Sequence, residues 1–365
     1  MTGAVDLVLP AAEIPEALMA FHHRTALSGP QRGLAPKDLA TDWLPDIIEL
    51  LRTRTSHDFG LYKRGTLQRR IERRMALATI RDGGMGQYLD LLRDDQSEVE
   101  QLANDLLIRV TGFFRDQQVF DLLERTIIPD LVRGCTPDRP LRIWCAGCST
   151  GEETYSLAML LRERIVEEHG QVRLQVFASD VDPDAVASAR EGLYPETIEG
   201  EVSPERLARF FLKDDHGYRV KPELRAAVVF TVQDVLADPP FSRLDLVSCR
   251  NLFIYLGPEA QAKVISRFHF ALRQDGVLLL GSAETPGVAN GRFEVISKTE
   301  RLYRRIGRDR PEESGNPTRA GSGGRGWLTA RPSREALRQA AFAELGRRLV
   351  LETYAPAAVL IDRNH

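Results

Sequence analysis

The chain has 365 residues, 43% of them hydrophobic and 28% charged, the make-up of an ordinary soluble globular protein with room for two domains and a remainder. Its 49 basic and 52 acidic residues leave a net charge of -3, which excludes a chain-wide basic field for nucleic acid. No apolar run nears the roughly 20 residues that span a bilayer, and an N-terminus carrying Asp6, Glu13 and Glu16 lacks the basic start of a secretory signal.

Residues 28–36 are rich in turn formers and read as a connector. Helical texture follows over 37–130. Apolar residues recur at helical spacing in Trp43-Leu44-Ile47-Ile48-Leu51, Leu67-Ile71-Met75 and Leu102-Leu106-Leu107. Ser97 with Glu100, ahead of an apolar run, predicts a capping box. Between Leu61 and Met75 six basic residues (Lys63, Arg64, Arg69, Arg70, Arg73, Arg74) face one acid, Glu72, for a local charge of +5. Arg69, Arg70, Arg73 and Arg74 would form a basic arc suited to an acidic helical partner.

From Leu141 short apolar runs alternate with helix-like segments such as 152–169 and 258–274, which predicts a mainly parallel sheet covered on both faces. The alternation breaks between Gly192 and Arg225, where an insertion is expected. Residues 307–333, rich in Gly, Pro, Ser and Arg, read as a flexible linker, and a helical pattern resumes from about Arg334.

The first strand of that region runs into Ala146-Gly147-Cys148-Ser149-Thr150-Gly151 and then a helix. Small residues there let a ligand approach the carboxyl edge of a parallel sheet. The glycine spacing is not that of a dinucleotide fingerprint. No lysine follows Gly151 as in a phosphate loop, and Glu152 and Glu153 would repel a pyrophosphate. An ammonium or sulfonium ligand fits better. Asp180 ends the second strand, where a ribose would be gripped, while Asp182 before Pro183 reads as a helix cap. The combination points to S-adenosylmethionine (SAM). Gln233 and Asp234, past the third strand, fall on the adenine side. Arg250, Asn251 and Tyr255 crowd the end of the fourth. Four cysteines without regular spacing make no disulfide framework, and Cys145-x-x-Cys148 lacks the second pair of a zinc site, so no metal is expected. His22-His23 reads as a surface pair.

In this order and spacing, Val110-Thr111-Gly112-Phe113-Phe114-Arg115-Asp116, Cys148–Ser156, Asp180, Cys249-Arg250-Asn251 with Tyr255, and Gly281-Ser282-Ala283-Glu284 resemble the CheR family of chemotaxis receptor methyltransferases. The segment Asp238–Leu256 is most similar to the form fused with a CheB methylesterase. Residues 4–21 resemble the end of that esterase module, and 334–365 the lead-in to a PAS-type sensor.

The resemblance implies an α/β, Rossmann-like SAM-dependent methyltransferase domain (131–306) with a small inserted antiparallel β subdomain near 193–226, preceded by an all-α N-terminal domain (36–130). Residues 1–35 would be an esterase remnant and connector, 307–333 a linker and 334–365 a truncated sensor lead-in. It implies a cytoplasmic enzyme that methylates glutamates of a chemoreceptor-like protein with a glutamate-rich helical region, releasing S-adenosylhomocysteine. Neither nucleic acid nor membrane insertion is expected, and the enzyme would be tethered to other signalling modules. Arg115, Asn251 and Tyr255 would be catalytic. Arg115 would reach over the cofactor from the N-terminal domain, Glu153 would meet its amino group and Asp180 its ribose. Thr111, Ala146, Gly147, Gly151, Gln233, Asp234 and Asn251 would complete the cofactor site. The rival readings are a SAM-binding scaffold without turnover, and a methyltransferase for nucleic acid or a small molecule.

Overall fold

The computed structural model describes residues 42–307, except 56, 79–83, 108, 137–138, 169, 171 and 288–290. The esterase-like start, the connector, His22-His23, the sensor-like end and the linker beyond Gly307 lie outside the described residues. The chain divides into two units, with the boundary after Leu107.

In the first unit the apolar periodicities become helices α1 (Leu44–Thr55), α2 (Arg64–Leu77), α3 (Met85–Asp94) and α4 (Gln96–Leu106). Their stripes meet in a core containing Ile47, Leu51, Leu67, Ile71, Tyr88 and Leu102. Each such aliphatic side chain, once buried, contributes about 1.5–3 kcal/mol. The predicted capping box is not the start of α4. Asp95 is the N-cap, accepting from the N–H groups of Ser97 and Glu98 at 2.8 and 3.3 Å. An aspartate at that position satisfies the first free donors of the helix, so Ser97 is already inside it.

The second unit opens with Thr111–Asp116, then α5 (Gln117–Leu122), a π-helical turn (Leu123–Ile127) and α6 (Ile128–Arg133). These helices were expected in the N-terminal domain. Instead Phe120, Leu123, Ile127 and Val132 belong to the same core as Ile143 and Val176 of the sheet. Helical periodicity identifies a buried face but not the partner that buries it.

The sheet strands are β1 (Leu141–Ala146), β2 (Leu174–Asp180), β6 (Val228–Val232), β7 (Leu244–Cys249), β8 (Leu272–Leu280), β9 (Phe293–Ser297) and β10 (Leu302–Arg305), in the order β6-β2-β1-β7-β8-β10-β9. The first five run parallel, while β10 is antiparallel to both β8 and β9. Helices α7 (Glu152–Glu167), α8 (Pro183–Glu191) and α11 (Pro258–Ala271) connect the parallel strands. Proline opens α8 and α11, where its missing N–H costs nothing. The insertion is a three-stranded antiparallel sheet, in the order β3-β5-β4, of β3 (Leu193–Tyr194), β4 (Phe211–Asp214) and β5 (Gly217–Val220), with α9 (Pro204–Phe210) between its first two strands. Short α10 (Pro222–Arg225) leads back into β6.

Among the described residues, no helix is long and apolar enough to cross a membrane.

Candidate cofactor and methyl-transfer site

From β1 the chain moves outward to β2 on one side and later to β7 on the other, so β1 and β7 flank the topological switch point. In parallel sheets the crevice outside the carboxyl ends of such strands is where ligands bind. Most of the site residues expected from the sequence fall along this edge. Ala146 ends β1, Asp180 ends β2, Gln233 and Asp234 follow β6, and Asn251 and Tyr255 follow β7.

The glycine loop is held from several sides. The N–H groups of Gly147 and Cys148 donate to the Ser179 carbonyl at 2.8 and 3.0 Å. Gly151, the N-cap of α7, has φ +95, where a Cβ would be strained and would sit 3.0 Å from both Ala189 Cβ and the Tyr194 hydroxyl oxygen. From the inserted sheet, Tyr194 donates its hydroxyl to the Thr150 carbonyl at 2.8 Å.

Asp180 is less free than its strand-tip position suggests. Its Oδ2 accepts from Ser149 N–H at 2.8 Å and its Oδ1 from Asp182 N–H at 3.0 Å. It therefore organises the loop, and each oxygen keeps a second lone pair for a ligand. Burial raises its pKa, against the lowering effect of the N–H groups of Asp182 and Ser149. Asp182 caps α8, accepting from Asp184 and Ala185 N–H groups at 3.0 and 3.2 Å, and pairs with Arg109.

Two buried polar atoms of residues that bond Asp180 through their backbone N–H groups, Ser149 Oγ and Gln233 Oε1, have no hydrogen-bond partner among the described residues. Gln233 N–H donates to the Asp180 carbonyl at 2.9 Å, and its side-chain Nε2 to the Pro239 carbonyl at 2.7 Å. A ligand bearing hydroxyl and amino groups, as an adenosine does, would satisfy both orphan atoms. Glu152 and Glu153 in the first turn of α7 suit a cationic head. The donor set fits SAM. Asp234 is turned to local structure, accepting from Leu236 N–H at 2.7 Å.

The arginine that organises this edge is Arg250, which sequence reasoning noticed but gave no role. Its side chain, 1% exposed, donates to Glu153 Oε2 at 3.0 Å, to Asp116 Oδ2 at 2.6 Å and to the Arg115 carbonyl at 2.8 Å. Ser248 donates to the other oxygen of Glu153. Glu153 is thus already ion-paired and keeps only spare lone pairs for an ammonium. Arg115 belongs to the α/β unit and not to the N-terminal domain, and its exposed guanidinium donates to the Val110 carbonyl at 2.9 Å. Thr111 is half-buried nearby in sequence. The motif that carries both is pinned by Phe114 N–H on Ser156 Oγ at 3.0 Å and Phe113 N–H on Glu201 Oε2 at 2.7 Å. Ser156 stood in the sequence only as the last residue of the Cys148–Ser156 string and Glu201 had no signal, since each contributes one polar atom at long range.

Burial pushes the thiols of Cys145, Cys148 and Cys249 up, which keeps them protonated at neutral pH. Among the described residues no three His, Cys, Asp or Glu side chains gather as a metal site would require.

The basic arc lies in the first unit and is smaller than the sequence implied. Arg74 makes a bidentate pair with Glu98, at 2.8 Å through each nitrogen, and Arg70 donates to the Asp105 carbonyl. Arg69 and Arg73 are exposed, with Arg69 Nε on the Gly65 carbonyl at 3.1 Å. Arg74 is therefore tied into its own unit, because its charge is spent on an acid of α4.

Comparison with known proteins then bears on this geometry. The profile described as CheR methyltransferase, SAM binding domain, matches residues 109–302, and that of the CheR methyltransferase all-alpha domain matches 44–107. The chain belongs to the CheR methyltransferase family. It is 32% identical over 264 residues to a chemotaxis protein methyltransferase of Escherichia coli, covering 69% of this chain and 87% of that one. A chemotaxis protein methyltransferase of Listeria innocua is 29% identical over 247 residues, with 68% and 91% covered. An uncharacterized 104.1 kDa protein in the hypE 3' region of Rhodobacter capsulatus is 37% identical over 336 residues. That alignment takes in 91% of this chain, which spans 34% of the R. capsulatus protein. As a CheR methyltransferase, the protein uses SAM as its cofactor.

Proposed function

We propose that this CheR methyltransferase esterifies glutamate side chains of a chemoreceptor-like protein, forming glutamate methyl esters and S-adenosylhomocysteine. The observation that carries the reading is the convergence of the glycine loop, Asp180 and the Asn251–Tyr255 loop at one switch point. The names of the E. coli and L. innocua relatives favour a chemotaxis substrate. The enzyme is taken to work in the cytoplasm, tethered to esterase and sensor modules. The 104.1 kDa relative is in keeping with a longer chain.

SAM, when bound, supplies a methyl group on a sulfonium, the sulfur keeping the bond's electron pair. A glutamate with a pKa of about 4.3 is already an anion at neutral pH, so the protein needs no general base. Its residues have two tasks. One is to exclude water, since solvation favours the charged partners over the neutral products. The other is to hold the carboxylate oxygen roughly 3–3.5 Å from the reacting carbon, in line. In this reading Arg115, Asn251 and Tyr255 border that oxygen, with the Tyr255 hydroxyl orienting it. Thr111, Ala146, Gly147, Gly151, Glu153, Asp180 and Gln233 hold the cofactor.

The deciding experiment is transfer of tritium from labelled SAM to receptor fragments, reversible by alkali as an ester must be. SAM binding without transfer would favour the scaffold reading. In the same assay Arg69→Glu with Arg73→Glu should raise KM for the receptor roughly tenfold and leave SAM affinity unchanged. A fall in SAM affinity would move the helix to the cofactor site.

Asp180 gives a pH test. Its raised pKa means that it takes up a proton before an ordinary aspartate does as pH falls. On its own account it contributes stability fully present below the ordinary value of about 3.9, and lost as pH rises through the raised value. SAM binding to the ionised form has the opposite trend. Affinity measured by calorimetry should decline as pH falls through that raised value, with binding there releasing a proton to the buffer. Asp180→Ala should lower affinity roughly 10- to 100-fold at neutral pH and remove the dependence. Unchanged binding would remove Asp180 from the site.

A further inference from the structure

We infer that Glu284 is a positioning residue for methyl transfer, its carboxylate holding the loop of Asn251 and Tyr255 in working shape from behind. Asn251 takes φ 60, in the left-handed region that asparagine tolerates, and so turns the chain sharply after β7. The turn aims three N–H groups at one point. Asn251 donates to Glu284 Oε2 at 3.1 Å, while Phe253 and Ile254 donate to Oε1 at 2.7 and 3.3 Å. Gly281 N–H adds a fourth bond, to Oε2 at 2.7 Å. Backbone N–H groups converging in this way form a nest for an anion, and here the anion is a side chain.

Three further facts make this a built feature. Glu284 is 3% exposed, and no cation lies within ion-pair distance of it among the described residues, so backbone dipoles alone offset its charge. The β7–β8 register sets Cys249 opposite Leu280, which delivers both loops to the same place. Gly281 permits their approach, because a Cβ there would lie 2.8 Å from both Asn251 N and Glu284 Oε2. The carboxylate is thus committed to backbone and acts on the reaction only through the loop it shapes.

The inference rests on the reading that Asn251 and Tyr255 border the transfer centre, and one set of variants of the 365-residue chain tests both. Glu284→Gln keeps the shape but turns an NH2 group toward N–H donors. At a temperature where the variant is folded, kcat for labelled-methyl transfer to receptor fragments should fall roughly 10- to 100-fold, with receptor KM within about threefold. Amide exchange at residues 251–254 should accelerate. Glu284→Asp, which keeps the charge with a shorter reach, should recover part of kcat, and it serves alone if the glutamine variant does not fold. A lowered melting temperature with kcat per folded molecule unchanged would mean a merely structural role and overturn the inference. Asn251→Ala and Tyr255→Phe test the underlying reading. If they lower kcat while Glu284→Gln does not, only the positioning role falls. If they leave kcat intact, the placement of the transfer centre falls and the role of Glu284 with it.

Discussion

Replacing Arg250 by alanine should destabilise the α/β unit by about 3–5 kcal/mol and abolish measurable SAM binding. The guanidinium is 1% exposed and bridges three segments through Glu153, Asp116 and the Arg115 carbonyl, with its Cζ 5.6 Å from the Phe120 ring centre. Its removal leaves Glu153, 19% exposed, with Ser248 as its remaining partner. An uncompensated carboxylate in a partly dry site is the costly part. Arg250→Lys separates charge from geometry. A lysine supplies the charge without the planar fork, so it can neutralise Glu153 but cannot also reach the Arg115 carbonyl and Asp116. Thermal unfolding should place the lysine variant between wild type and alanine, with SAM affinity, measured by calorimetry, still reduced. An alanine variant within about 1 kcal/mol of wild type would show that the bridge contributes little to the fold.

The second large effect is expected in the all-α unit and concerns a residue that looked like a receptor contact. Arg74→Ala should destabilise that unit by about 3–5 kcal/mol, whereas Arg69→Ala should stay within about 0.5 kcal/mol. Arg74 and Glu98 are 15% and 8% exposed and joined by two parallel hydrogen bonds, and Tyr88 donates its hydroxyl to Glu98 at 2.9 Å. Burial and the neighbouring Glu98 charge push the Tyr88 pKa up, so the phenol keeps its proton and remains a donor. Truncating Arg74 strands a buried carboxylate. Replacing both partners together, by Arg74→Met with Glu98→Leu, removes the stranded charge and should recover most of the loss. Denaturant unfolding of wild type, Arg74→Met, Glu98→Leu and the double variant, read as a double-mutant cycle, checks this. Additive losses would show that the two side chains do not act as a pair. The same result redraws the basic arc, of which Arg69 and Arg73 are the exposed members.

Much of this was legible in the amino-acid sequence because its causes are local. The stripe Leu67-Ile71-Met75 has helical spacing, and Asp182 before a proline is an N-cap. Small residues between β1 and α7 make a tight strand-to-helix turn for the same reason. These signals were enough for the fold class, the glycine loop and the strand-tip acid. The strands β9 and β10 escaped notice because β9 is short and half-exposed, with no clean alternation to mark it. The helices before β1 were assigned to the wrong unit because amphipathicity does not name its partner.

What only the tertiary structure decided was where each charge is neutralised. Arg250 meets Glu153 across 97 residues and Asp116 across 134, and Glu284 gathers loop N–H groups some 30 positions away. Chain separation hides such pairings from any window of sequence, while their energy depends on burial that exists only once the strands are ordered. The 49 basic and 52 acidic residues leave no chain-wide basic field. They could not say that Arg74 and Arg250 are paired with carboxylates inside their units, because charge is counted along the chain but neutralised in space.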